Sequence, residues 1–194
     1  MYSSFQVNNY ADVFKAIVSA FQPTVCVELG VLEGYSANAI AKGLKENFDK
    51  HGTKGMLDAY DLFEQYPYRH VSMEMTLGNI ANSGLSEWVS LQKADAFEVH
   101  KRYERHSVSF LHVDLSNTGE TVRKIMELWD DRMVYGGIIC FEGGSADRDE
   151  IEWMKKYNAS PLKHEFETNP IIEARYIFGT YFRFPGLTCL LKKR

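Results

Sequence analysis

The sequence predicts an α/β domain built on a doubly wound, mostly parallel seven-stranded sheet that finishes in an antiparallel pair of C-terminal strands. Three observations predict it. The apolar run 25–29 leads through an acidic residue into a glycine turn and a helix start, the arrangement that presents a ligand at the carboxyl end of a first strand. Five short apolar runs alternate with amphipathic stretches, which is the pattern of βα units and a parallel sheet. The last two apolar runs are joined by only a few residues, whereas a parallel crossover needs about a dozen, so that pair is antiparallel.

Each element has its own warrant. Val13, Phe14, Ile17, Val18 and Phe21 recur at helical spacing and predict a helix over 12–21. Residues 25–29 are rich in β-branched side chains and read as a buried strand. Ser36 is placed to cap a helix whose Ala37, Ile40, Ala41 and Leu44 share one face. Residues 51–55 form a polar turn, and 56–63 a second strand ending near Asp61. A loop and helix follow over 67–82, with Val71, Met75 and Ile80 inward. Residues 88–92 make a third strand, 96–103 a short helix and 108–115 a fourth strand. Thr118 or Gly119 opens a helix with Val122, Ile125, Met126 and Trp129 at i, i+3, i+4 and i+7. Gly136-Gly137 precedes a fifth strand over 138–141, and a helix over 147–157 places Ile151, Met154 and Tyr157 on one side. The tail carries strands over 176–180 and 187–191, with Pro185-Gly186 as the turn between them.

Size and composition narrow the function. The 194 residues suffice for one domain, 1–194, with a sizeable core. A net charge of −4 argues against nonspecific binding to nucleic acid, which needs a basic surface. No N-terminal segment resembles a signal peptide and no apolar run is long enough to span a bilayer, so neither secretion nor a membrane is expected. Cys26, Cys140 and Cys189 each sit in an apolar run and read as small core residues, which fits a reducing cytoplasm.

The turn after the first strand runs Glu28-Leu29-Gly30-Val31-Leu32-Glu33-Gly34, E-x-G-x-x-x-G rather than G-x-G-x-x-G. A carboxylate beside the turn repels a pyrophosphate and suits a cationic ligand group. Gly30 and Gly34 let a ligand approach the backbone, and Tyr35 and Ser36 open a helix whose first N–H groups are free for an anion.

The segment 28–37, E-L-G-V-L-E-G-Y-S-A, resembles the first motif of class I S-adenosylmethionine-dependent methyltransferases, most closely the catechol-type small-molecule O-methyltransferases. The segment 59–64, A-Y-D-L-F-E, resembles the second-strand motif of macrocin-type sugar O-methyltransferases. Ala94-Asp95-Ala96-Phe97 resembles the segment after their third strand, and 110–114 with 136–142 their fourth and fifth strands. The resemblance covers roughly 25–157 and implies a Rossmann-like methyltransferase fold, S-adenosylmethionine as donor and an oxygen of a small molecule as acceptor. It implies that Glu28 accepts from the donor's ammonium, that Gly30, Gly34, Tyr35 and Ser36 receive its methionine part, that Asp61 takes both ribose hydroxyls, and that Asp95 with the Ala96 amide reads the adenine edge. It also implies that Asp114 borders both donor and acceptor.

In catechol-type relatives, carboxylates ending the fourth and fifth strands hold a divalent cation that orients the acceptor. Asp114 and Glu142 stand at those places and imply Mg²⁺, although Gly143 lacks the second side-chain ligand and Asn117 stands where a lysine base is expected. His112 shares a strand face with Asp114 and is either a general base or a core histidine. His164 either borders the acceptor or is solvated. Tyr176, Phe178, Tyr181, Phe182 and Phe184 either wall an acceptor pocket, pack the sheet or form a homodimer surface. Asp61 and Asp95 have a plainer reading as caps of the segments that follow them. Two other functions stay open: a non-catalytic cofactor-binding protein on the same scaffold, favoured by the weakened metal set, and an NAD-linked oxidoreductase, disfavoured by the turn and the antiparallel tail.

Overall fold

Tyr10, Phe14 and Val18 recur every fourth residue and are fully buried, and they define the inner stripe of helix α1 (Tyr10–Phe21). In the computed structural model, which describes residues 9–68, 70–181 and 183–194, this stripe is narrower than the sequence implies: Val13 and Phe21 are exposed. The Asn47 amide donates to the Val18 carbonyl at 2.9 Å, which also accepts the Gln22 amide at 3.0 Å, so one carbonyl carries both the end of α1 and a contact from the following helix.

The chain divides into two compact units at Glu98 and Val99. The first contains α1, β1 (Val25–Leu29), α2 (Tyr35–His51), β2 (Met56–Asp61), α3 (Met73–Asn82) and β3 (Val89–Lys93). Its strands are parallel, with Glu28 in register with Ala59 and Asp61 with Lys93. In α3 the Ser72 hydroxyl accepts the Met75 amide at 3.1 Å, a cap that stabilises by about 1 kcal/mol. That cap sets the rotation of α3, which buries Thr76 and Ile80 and leaves Met75, expected inward, 53% exposed. Val71 is half-buried.

The second unit contains β4 (Val108–Val113), α4 (Gly119–Trp129), β5 (Met133–Glu142), α5 (Ala146–Asp149), α6 (Glu152–Lys156), α7 (Leu162–Thr168), α8 (Pro170–Arg175), β6 (Tyr176–Tyr181) and β7 (Leu187–Lys192). β4 and β5 are parallel, while β5–β7 and β6–β7 are antiparallel, as the short final connection requires. Val122, Ile125, Met126 and Trp129 form the buried face of α4, as their spacing predicts. The seven strands form a sheet in the order β3-β2-β1-β4-β5-β7-β6, so the expected fold class holds.

Several expected elements are corrected. Gly136-Gly137 lies inside β5: Val108 pairs with Met133 but Phe110 with Ile138, so β5 carries three extra residues in a bulge, and Gly136 takes φ 76° there. The helix expected over 147–157 is two short helices, because Ile151 adopts an extended backbone (ψ 153°) between them, and Tyr157 is exposed. The helix expected over 96–103 shrinks to one 3₁₀ turn at Val99–Arg102. Helices α7 and α8 have no counterpart in the sequence reading. Asn169-Pro170 is the signal for α8: the Asn169 side chain accepts the Ile171 and Ile172 amides at 2.9 and 3.3 Å, and proline occupies the first helical position. Cys26 and Cys140 are buried and Cys189 half-buried, all three as thiols. Burial, then the charge of Asp58, raises the Cys26 thiol pKa above its ordinary value. Among the described residues, no helix is long and apolar enough to cross a membrane.

Candidate functional site

The turn after β1 is held from two sides. Gly34 sits at φ 83° and ends the turn, and a Cβ there would meet the Thr76 methyl at 3.3 Å, so glycine allows both the left-handed backbone and the approach of α3. From α3, the Thr76 hydroxyl donates to the Leu32 carbonyl at 2.5 Å and the Asn79 amide donates to the Glu33 carbonyl at 3.0 Å. From β2, Asp61 Oδ2 accepts the amides of Val31 at 2.7 Å and Leu32 at 3.0 Å. The Leu32 peptide is thus gripped at its N–H by a carboxylate and at its carbonyl by a hydroxyl.

Asp61 also turns its own strand. Its Oδ1 accepts the Phe63 amide at 2.8 Å. Leu32 and Phe63 both have left-handed backbones, at φ 49° and 48°. Such a conformation costs a non-glycine residue about 1–2 kcal/mol. A hydrogen bond to a charged group returns about 1.5–3 kcal/mol, so the three bonds to Asp61 outweigh the strain of both residues. Three of roughly four acceptor positions on the carboxylate are occupied, and the one that remains is on Oδ1.

Glu28 is 0% exposed, and the Ser36 hydroxyl donates to its Oε1. Ser36 therefore does not cap α2. The helix starts one residue earlier, at Tyr35, with Gly34 at its cap position and no side-chain cap. The buried carboxylate draws the Ser36 hydroxyl inward, a charge-assisted bond that outcompetes a neutral cap. Tyr35 is half-buried.

Asp95 lies beyond β3 and is exposed; its Oδ1 accepts the Phe97 amide at 2.9 Å, so it shapes the local turn, and Ala96 beside it is buried. Glu64, one residue past Phe63, pairs with Lys93 at 2.5 Å and accepts the Met73 amide at 2.9 Å. These bonds, Lys93 foremost, hold its carboxyl at about 2. Thr76 and Asn79 were not singled out from sequence. Their signal is two polar residues one helical turn apart, of which Thr76 is fully buried on a helix with few other anchors.

In the second unit, His112 is fully buried in β4 opposite Cys140 of β5. Asp114 follows β4 and is half-buried, whereas Glu142 closes β5 and is buried. Gly143, next to Glu142, offers no side chain. Among the described residues, no group of three or more His, Cys, Asp or Glu side chains is gathered to hold a metal ion. This donor set does not fit Mg²⁺ held by side chains in the catechol-type manner. Asn117 is half-buried and His164 is exposed on α7. Of the aromatic tail, Tyr176 is buried, while Phe178, Tyr181 and Phe184 are exposed; Phe182 lies outside the described residues.

The strand–turn–helix arrangement and the sheet order define a doubly wound, mostly parallel α/β protein. The chain belongs to the methyltransferase domain family, whose model matches residues 27–142. A search of curated protein sequences returns no match. Among solved structures, the chain is similar to the O-methyltransferase from Bacillus cereus in complex with SAH (TM-score 0.72, 16% identity, 100% of this chain and 83% of that one). It is also similar to the O-methyltransferase TomG from Streptomyces achromogenes, involved in tomaymycin synthesis and solved with SAM (TM-score 0.69, 13% identity, 100% and 82%). A third is the SAH-bound methyltransferase PaMTH1 of Podospora anserina (TM-score 0.69, 15% identity, 100% and 80%). At these identities the likeness is one of fold.

Proposed function

We propose that this chain transfers a methyl group from S-adenosylmethionine to an oxygen of a small molecule. The observation that carries this reading is the Asp61 carboxylate clamped onto the Val31 and Leu32 amides, with buried Glu28 behind the same turn. The residues fit the donor: a rigid glycine turn, two carboxylates for its cationic and hydroxyl groups, and the uncapped start of α2 for its carboxylate. Asp61 takes one ribose hydroxyl on Oδ1, Glu28 supplies negative potential near the ammonium, and Gly30, Gly34, Tyr35 and Ser36 border the methionine part. Asp95 and Ala96 border the adenine. SAM- and SAH-bound neighbours of the same fold support the donor assignment.

The bound donor supplies an electrophilic methyl carbon on a sulfonium. The protein's share is positioning, which is worth about 7–11 kcal/mol of barrier when the reacting atoms are aligned. Asp114 is the strongest candidate for removing the acceptor's proton, because it is the least buried of the three titratable groups near the strand ends; Glu142 and His112 are buried. Isothermal titration with S-adenosylmethionine and S-adenosylhomocysteine tests the reading: micromolar binding supports it and no heat at millimolar ligand overturns it. A radiolabelled methyl donor with catechol, phenol and sugar acceptors then separates an active enzyme from the second reading, a cofactor-binding protein without turnover. Gly143 and Asn117, which replace a ligand and a base, are the observation behind that second reading.

A further inference from the structure

The bulge in β5 pushes Tyr135 outward, and the ring is 62% exposed. Beside it lies a cavity of about 350 Å³ within the second unit, at the amino ends of β4 and β5 and the carboxyl end of β7. Asp114 and Glu142 occupy the other ends of β4 and β5, so the cavity is apart from the candidate catalytic residues. Five permanent cations line it, Arg105, Arg175, Lys192, Lys193 and Arg194, against one acid, Asp131. The whole chain carries −4, so this concentration of positive charge runs against the overall balance.

The neighbouring acids consume only part of this charge. Buried Lys192 is spent: its ammonium donates to the carbonyls of Asp130 at 2.5 Å and Met133 at 3.2 Å and pairs with the Asp130 carboxylate at 3.2 Å. Arg175 engages Asp130 and, at 3.8 Å, Asp131 through one terminal nitrogen. Arg105 lies 3.2 Å from Asp131, also through one nitrogen. A guanidinium has five N–H donors, so most of each fork remains available. Lys193 rests on the carbonyls of Glu173 and Ala174 at 2.8 and 3.4 Å rather than on a carboxylate. Counting Asp130 with Asp131, the side chains of the lining keep a net charge of +3.

One wall is planar. His106 has a left-handed backbone at φ 55°, its N–H donates to the Asp131 carbonyl at 2.9 Å, and its Nδ1 lies 3.1 Å from the Met133 carbonyl. These contacts hold the imidazole stacked on Tyr135, with centroids 5.3 Å apart and planes inclined by 17°. An exposed aromatic fixed by a strained neighbour at a cationic cavity is a construction that the sheet itself does not require.

We propose that this cavity binds a phosphorylated small molecule, its phosphate held by Arg105 and Arg175 with Lys193 and Arg194 adding charge. Arginine forks match phosphate oxygens, and the cavity has the volume of a small-ligand site. The inference does not depend on the donor assignment.

Titration calorimetry on the full chain at low salt, with ADP, ribose 5-phosphate and inorganic phosphate, tests it. At least one probe is expected to bind with a Kd below about 1 mM. Binding weakens at least tenfold in the double variant Lys193→Glu/Arg194→Glu, and falls as sodium chloride is raised. Arg105→Gln gives a second, independent loss should the double variant fail to fold. Tighter binding of ADP than of ribose 5-phosphate assigns a ring to the Tyr135 wall, and equal binding of all three assigns free phosphate. No binding by any probe, or binding unchanged in both variants, overturns the proposal.

Discussion

The carboxylate of Asp61 accepts the Val31 amide at 2.7 Å across thirty residues of chain, and so fastens the end of β2 to the turn that follows β1. With the Leu32 and Phe63 amides on the same carboxylate, one side chain holds two strained residues in place. Asp61→Asn puts an NH₂ group against backbone N–H donors. Each amide left without an acceptor costs about 1–3 kcal/mol. The variant is expected to lose about 2–4 kcal/mol in urea unfolding and to weaken S-adenosylhomocysteine binding at least tenfold by calorimetry. Unchanged values in both measurements would show that the turn keeps its shape without the clamp.

The elements that build this grip were legible in the sequence, and so was Asp61 as a cap of the segment after it; its bonds to Val31 and Leu32 were not. The strand, Glu28, the two glycines and Asp61 lie close to elements with strong patterning, and a period of two or 3.6 places them directly. The grip from α3 depends on a contact between residues more than forty positions apart, Thr76 with Leu32 and Asn79 with Glu33, which no local pattern encodes. The same holds for Ser36: helix-start rules assign it a cap, but a buried carboxylate eight residues earlier takes its hydroxyl. Met75 shows the converse, an apolar residue at a plausible helical position that the cap at Ser72 rotates outward. Gly136-Gly137 read as lying before the fifth strand because glycine pairs mark turns as well as bulges, and only pairing register tells them apart.

Thr76 and Asn79 act through the turn rather than on a ligand, which makes them positioning residues. Thr76→Val keeps the volume and removes the bond to Leu32; Asn79→Ala removes the bond to Glu33. Each is expected to raise the donor's KM about five- to tenfold with a smaller change in kcat, because a neutral hydrogen bond contributes about 0.5–1.5 kcal/mol. Thr76→Ser, which keeps the hydroxyl, should restore most of the donor affinity. Loss of thermal stability with donor affinity unaltered would make the two residues structural only.

Cys140 and Cys189 are directly paired across β5 and β7, with sulfurs 3.4 Å apart. The hydrogen bond to Cys189, followed by burial, keeps the Cys140 thiol well above its ordinary value. Burial does the same for Cys26. A protonated, buried thiol is a poor nucleophile. Iodoacetamide at pH 8 is therefore expected to leave Cys26 and Cys140 unmodified in the folded chain and to label both in urea, read by peptide mass spectrometry. Rapid native labelling of Cys140 would mean that the β5–β7 pair opens.

Asp130 anchors the second unit's edge through Lys192, Arg175 and the Tyr176 hydroxyl, which donates to it at 2.9 Å. Burial, then the charge of Asp130, raises the Tyr176 phenol above its ordinary value. Below about pH 10, the ordinary tyrosine value, the phenol is protonated in folded and unfolded chains alike, and its contribution to stability is complete. As pH rises past that value the unfolded chain releases the proton and the folded chain does not, so stability falls. Urea midpoints measured from pH 8 to 11 are expected to decline above pH 10, and Tyr176→Phe to flatten the decline while costing about 1–3 kcal/mol at pH 8 for the lost bond to a charged group. A decline of equal slope in the variant would assign the alkaline loss to other tyrosines or lysines.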